Sequence, residues 1–179
     1  MKLFLERNIF IFSILIFFLL SGCESSSDSD EELGESWLKV GGAEYSLAKL
    51  HINHEGESSV GGVYTYYVSI ISEDLNMDNP GSGSGEYIYV TLFSNSDTIF
   101  HQDDYAFSSG APESGKFKCD DDANISTNFA FPDPDPTIYE ITGGLITVNI
   151  IDTTYYISGE VTTSGGPATF RYVGSETGY

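Results

Sequence analysis

From Trp37 onward, apolar and polar residues alternate along the chain, and glycine pairs interrupt the alternation. A period of two puts successive side chains on opposite faces of an extended strand. Leu38-Lys-Val40, Gly41-Gly42 and Ala43-Glu-Tyr-Ser-Leu47 therefore predict a hairpin with a two-glycine turn. Tyr64, Tyr66, Val68 and Ile70 share one face of the next strand. After the loop Asp78-Asn-Pro-Gly-Ser-Gly-Ser-Gly85, Ile88, Val90 and Leu92 do the same. Tyr105 with Phe107 and Phe117 with Cys119 mark shorter strands, and Ile125 to Ala130 carries a weaker signal. Gly143-Gly144 stands between Thr137–Thr142 and Leu145–Ile151, where Ile146, Val148 and Ile150 share a face. Asp152-Thr153 turns the chain into Tyr155, Ile157 and Val161, with Gly159 at a close approach or bulge. Gly165-Gly166-Pro167 turns it again, into Phe170 and Tyr172. No stretch after residue 36 has a 3.6-residue period. The pattern predicts an all-β domain, an antiparallel meander of about nine or ten strands. Such a meander must hide its edges, and barrel-like closure is slightly favoured over a two-sheet sandwich.

The first 36 residues follow other rules. Lys2 and Arg7 precede an apolar run of 12 residues, Ile9 to Leu20, broken only by Ser13. A spanning helix needs about 20 residues. A basic start, a short apolar run and small residues at its end form a secretory signal. Leu20-Ser21-Gly22-Cys23 resembles the lipobox of bacterial lipoproteins. The resemblance implies cleavage before Cys23, a diacylglycerol on its thiol and a further acyl chain on the new amine. Two or three acyl chains hold a protein stably at a membrane. The chain thus divides into a signal at 1–22, a lipidated acidic tether at 23–36 and one β domain at 37–179.

The tether carries six acids and no base between Glu24 and Ser36. Thirteen such residues reach roughly 20 Å. This acidic, serine-rich stretch after the cysteine resembles the surface-export signal of Bacteroidota lipoproteins; the alternative is a plain acidic spacer. Trp37-Leu-Lys-Val-Gly-Gly-Ala-Glu-Tyr-Ser-Leu47 is also similar to the opening hairpin of that group. Tyr139–Val148, Tyr155–Val161 and Phe170–Gly174 are similar to its closing hairpins. The motifs are turn glycines and core alternation, so they imply a fold and no catalytic residue. The expected location is the outer membrane, on the cell surface or facing the periplasm.

Charge narrows the partners. The chain has 27 acids and 7 bases. Taking away Lys2, Arg7 and Glu6 leaves 26 and 5, a net charge near −21 for the processed chain. That charge repels nucleic-acid phosphates and anionic lipid, so neither is an expected partner. Aromatic residues at 14% argue for a folded domain against a disordered acidic one. With Cys23 acylated, Cys119 has no intramolecular partner, and Asp120, Asp121 and Asp122 surround it with negative charge. A reactive thiolate needs the opposite.

Candidate chemistry is sparse. His51, His54 and His101 read as surface histidines, because three-apart rings on a strand point to opposite faces. Asp120, Asp121, Asp122, Asp133 and Asp135 supply hard oxygens that suit calcium, without the spacing of an EF-hand. No other cofactor is expected. Gly81-Ser-Gly-Ser-Gly85 puts glycine where a nucleophile elbow has serine. Tyr67, Tyr87, Tyr89 and Phe93 fall on the faces opposite the more apolar ones and form a candidate aromatic platform for a ligand. Thr98 and Thr153, each after Asp, resemble the acceptor of Bacteroidota O-glycosylation. The expected function is a membrane-anchored, non-catalytic module that binds a glycan or an envelope protein, or serves a structural role. The alternatives are a hydrolase with paired carboxylates and a β-barrel holding a small ligand.

Overall fold

The computed structural model describes residues 35–78, 81–97, 102–118 and 123–177. Among them it contains no helix. Eleven strands form one sheet system: β1 Trp37–Val40, β2 Ala43–Ser46, β3 Lys49–Glu57, β4 Tyr64–Ile71, β5 Ser84–Ser94, β6 Asp103–Ser108, β7 Lys116–Lys118, β8 Asn124–Ala130, β9 Thr137–Ile151, β10 Thr154–Thr163 and β11 Gly166–Gly174. The fold is all-β and barrel-like.

Strands adjacent in sequence pair over β3–β4–β5 and β9–β10–β11. Closure comes from other joins. Ser84 to Tyr89 of β5 pair with β8, and Thr91 to Phe93 pair with β7. On β9, Thr137 to Glu140 pair with β8 and Leu145 to Val148 pair with β6. β6 and β7 pair in parallel. The ring β5–β8–β9–β6–β7 is thereby a closed five-strand barrel. From β5 the sheet extends through β4 to β3, and from β9 through β10, β11 and β1 to β2. Closure satisfies the ladder groups that a free edge would expose.

The predicted opening hairpin is present: Gly41 and Gly42 have φ of 60° and 82° between β1 and β2, the geometry of a tight primed turn. Gly143-Gly144 behaves differently from its expected place between two strands. β9 runs through it without a break. Thr162 pairs with Gly143 and Thr163 with Ile141, which leaves Thr142 without a register partner on β10, and at Gly144 φ is +120°. This is a bulge, which inserts one unpaired residue. Its effect is phase. Ile141 and Ile146 are five apart and would face opposite sides of a regular strand, yet both are 0% exposed.

One core cluster fills the interior. It draws Leu38 from β1, Val68 and Ile70 from β4, Ile88 and Leu92 from β5, Ile125 from β8, Ile146 and Val148 from β9, and Phe170 and Tyr172 from β11. Burying each such side chain contributes about 1.5–3 kcal/mol. Every strand and the whole cluster lie within Glu35–Tyr179, a compact unit with its own core. A unit of that kind meets the condition for folding alone.

A tyrosine strip on the outer face of β4 and β5

Alternation that aims Val68, Ile70, Ile88 and Val90 inward aims their neighbours outward. The registers of β3, β4, β5 and β8 place those neighbours in rows. One row reads His51, Ser69, Tyr89, Asn124. Beside it lie Asn53, Tyr67 and Thr91 on one side, and Lys49, Ile71, Tyr87 and Ser126 on the other. Tyr87, Tyr89 and Tyr67 therefore run along β5 and then diagonally onto β4. The Tyr67 and Tyr89 ring centroids are 5.9 Å apart with an interplanar angle of 28°. Tyr87 and Tyr89 are also 5.9 Å apart, at 30°. All three rings are half-buried.

The start of β5 holds Tyr87 in place. The Ser72 hydroxyl donates to the Glu86 carboxylate at 2.7 Å, and the Glu86 amide donates to the Ser72 hydroxyl at 2.8 Å. The Lys49 ammonium donates to the carbonyls of Glu73 and Leu75, tying the segment after β4 to β3. Asn124 accepts a hydrogen bond from the Ser126 hydroxyl at 3.1 Å. Offset aromatic stacks bring both packing area and a ring face with an attached hydroxyl.

Phe93 shares the strand and the phase of Tyr87 and Tyr89 but is 4% exposed. It lies between Thr65 and Lys116 and is packed away from solvent. The strip that meets solvent is thus three tyrosines. His51 is likewise buried, at 8% exposed, against the expectation of a surface histidine. It stands at the end of its row, on β3 opposite Ser69. His54 is exposed and stacks on Tyr66 at 4.8 Å and 18°, on the opposite face of β3 from His51. His101 lies outside the described residues.

The remaining candidates are scattered. Among the described residues no three His, Cys, Asp or Glu side chains gather as a metal site. Asp133 and Asp135 stand exposed between β8 and β9. Asp120, Asp121 and Asp122 lie outside the described residues, as do Cys23, Thr98 and Cys119. Thr153 is exposed in the turn between β9 and β10.

Three phenols, those of Tyr66, Tyr105 and Tyr172, are among the buried polar groups. Tyr66 donates to the Ser96 carbonyl at 2.9 Å, and Tyr172 donates to the Ser175 carbonyl at 2.8 Å. Burial raises the pKa of Tyr105, helped by the charge of Asp103 and by Tyr66, while a hydrogen bond with Ser94 opposes the rise. Burial is also the leading cause of the raised values at Tyr66, Tyr155 and Tyr172. These tyrosines stay neutral wherever the protein works near neutral pH. No family model, curated protein or solved structure matches the chain.

Proposed function

We propose that the chain is an exported, lipid-anchored, non-catalytic module that binds a neutral glycan on the tyrosine strip. The observation that carries the reading is the evenly spaced run Tyr67, Tyr89, Tyr87. Its spacing is on the order of one sugar ring per aromatic ring. The apolar C–H face of a pyranose packs on a tyrosine face, and the amide and hydroxyl groups of Asn53, Ser69 and Asn124 border the strip. A net charge near −21 for the processed chain disfavours polyanionic glycans. Cys23 anchors the module in the outer membrane, and the acidic tether lets it turn toward its ligand, on the cell surface or toward the periplasm. An envelope protein is the second partner class, and an aromatic, uncharged strip suits it too.

Two measurements test the two halves of the proposal. Cells fed a fatty-acid analogue should label the protein, and Cys23→Ser should abolish the label. Retained label in the variant rejects the anchor. In affinity electrophoresis against neutral polysaccharides, Tyr67→Ala with Tyr89→Ala should weaken retardation at least tenfold. Retardation unchanged by the double variant removes the strip as the site.

A further inference from the structure

The chain enters the domain at a fixed point. Ser36 is held on two sides. Its hydroxyl accepts from the Val173 amide at 2.9 Å and donates to the Val173 carbonyl at 3.3 Å, and its carbonyl accepts from the Leu47 amide at 3.1 Å. Trp37, the only tryptophan in the sequence, follows at the start of β1. Leu38 and Val40 are buried in the core, so Trp37 and Lys39 face outward. Register extends that outward face across β1, β11, β10 and β9. One row reads Ser46, Trp37, Arg171, Ser158, Thr147. The row toward the end of β11 holds Val173, Tyr156 and Asn149, and Ile151 lies beyond it opposite Thr154. The row on the other side holds Glu44, Lys39, Thr169, Glu160 and Leu145.

Two features set this face apart. The first is its apolar content. Leu145 and Ile151, at 42% and 52% exposed, are two of the four exposed large hydrophobic side chains among the described residues, and Trp37, Tyr156 and Val173 are half-buried on the same face. The second is balanced charge in a strongly acidic chain. Lys39 and Arg171 are two of the five bases of the processed chain, and they offset Glu44 and Glu160. The Lys39 ammonium lies 4.6 Å from the centre of the Trp37 ring and 3.3 Å from the Glu44 carboxylate. Indole and phenol rings, with cations on long stems beside them, suit the headgroup level of a bilayer, where one end is apolar and the other wet. Glu35, Asp104, Asp152 and Glu176 stand exposed around the face and repel an anionic surface.

We propose that this face rests on the zwitterionic surface of the bilayer that holds the lipid on Cys23, with Trp37 and Tyr156 at headgroup level and Ile151 against the top of the acyl chains. The docking rests on the lipid anchor proposed above. The position of the anchor selects the occupant. Cys23 precedes Ser36 by thirteen residues, which span at most about 45 Å. Ser36 borders the face, so an anchored domain keeps the face within reach of the bilayer. A contact too weak to hold a free protein is then sustained by effective concentration. Charge selects the lipid class. Two bases and two acids fit a headgroup that carries both signs, whereas an anionic bilayer meets the repulsion of the surrounding carboxylates. The tyrosine strip is on β4 and β5, which the sheet order separates from β10 by β9 and the other barrel strands. The two sites therefore use different strands.

The test uses the full processed, acylated chain in vesicles of phosphatidylethanolamine and phosphatidylcholine, the latter brominated near the top of its acyl chains. Flotation with the vesicles reports the anchor, and tryptophan emission reports Trp37 alone. The protein should float, and bromine should quench Trp37 by about half or more relative to unbrominated vesicles. Ile151→Asp with Tyr156→Asp should float equally and lose most of the quenching at an unchanged melting temperature. Ile151→Asp alone, at an exposed position, should lose part of it, and it carries the test if the double variant does not fold. Replacing the phosphatidylethanolamine with phosphatidylglycerol should also reduce quenching. Protein that does not float rejects the anchor, and the docking with it. Protein that floats with Trp37 unquenched keeps the anchor and overturns the docking, leaving the face to a protein partner. Quenching undiminished by Ile151→Asp overturns the assignment of the face, and stronger quenching with phosphatidylglycerol overturns the zwitterionic surface.

Discussion

Gly159 pairs with Phe170 across β10 and β11, and the aromatic ring lies over the glycine. A Cβ at position 159 would stand 2.2 and 2.3 Å from two ring carbons. Phe170 is 1% exposed, so the ring has nowhere to swing. Gly159→Ala should therefore destabilise the fold by about 1–3 kcal/mol, the usual cost of overpacking a tight core. The lower chain entropy of alanine offsets only about 0.4–1 kcal/mol of that. Urea titration reads the change, and Gly159→Ala with Phe170→Leu should regain part of it. A neutral Gly159→Ala would mean that the ring moves freely. At this scale the sequence was informative about place and silent about partner. The alternation of Ile157 and Val161 around Gly159 marks a close approach. Only the register between two strands names Phe170 as the group that approaches. The same limit applies at the strip: alternation selects Tyr67, Tyr87 and Tyr89, but phase alone does not distinguish them from the covered Phe93.

Among the elements, β9 carries the most positional information. It pairs with β10 along one side and with both β8 and β6 along the other. The bulge at Thr142, beside the Gly143-Gly144 pair, lets one strand present Ile141 to one part of the core and Ile146 and Val148 to another. A Cβ at Gly144 would stand 2.3 Å from the Glu160 carbonyl oxygen, so no other residue fits there without displacing β10. Inserting one residue after Gly144 should put Ile146 and Val148 out of phase with Ile141 and turn them outward together. Losing two buried side chains costs about 3–6 kcal/mol, a large part of the 5–15 kcal/mol that holds a typical domain. The expected result is loss of near-UV circular dichroism and of a cooperative melt. A cooperative, native-like melt of the insertion variant would show that the strand absorbs the extra residue and that the bulge does not set the phase. Most strands were legible because their alternation is clean. β8 gave a weaker signal for a physical reason: Ile125, Ser126 and Thr127 are consecutive and all buried, so no polar face marks the period. The joins that close the barrel were not legible, since no turn residue encodes β5 to β8, β5 to β7 or β6 to β9.

For the whole molecule, titration separates two effects that both weaken the fold at high pH. The first is self-repulsion. With a formal net charge of −20 for the full chain at pH 7, each further negative charge adds to it, and salt screens it over roughly 10 Å at 0.1 M. The second is proton linkage at Tyr105, whose pKa the fold raises above its ordinary 10.0 through burial first and the Asp103 charge second. The sign follows from counting protons. Below pH 10 the phenol is protonated in both folded and unfolded chains, and stability is independent of pH on its account. Above pH 10 the unfolded chain releases the proton while the folded chain keeps it. Stability then falls by about 1.4 kcal/mol per pH unit for each tyrosine retained neutral, until pH passes the folded value. Unfolding free energy measured in urea between pH 7 and 11.5 should be level on this account and then break downward near pH 10. Tyr105→Phe should start about 1 kcal/mol lower, for its lost hydrogen bond with Ser94, and descend less steeply by one proton above the break. Added salt should lift the curve at every pH by screening the acids, and it should leave the break in place, because burial is the larger cause of the shift and salt does not relieve it. A break that vanishes in salt, or a Tyr105→Phe slope equal to that of the unsubstituted chain, would assign alkaline unfolding to self-repulsion and remove the buried phenol from the account.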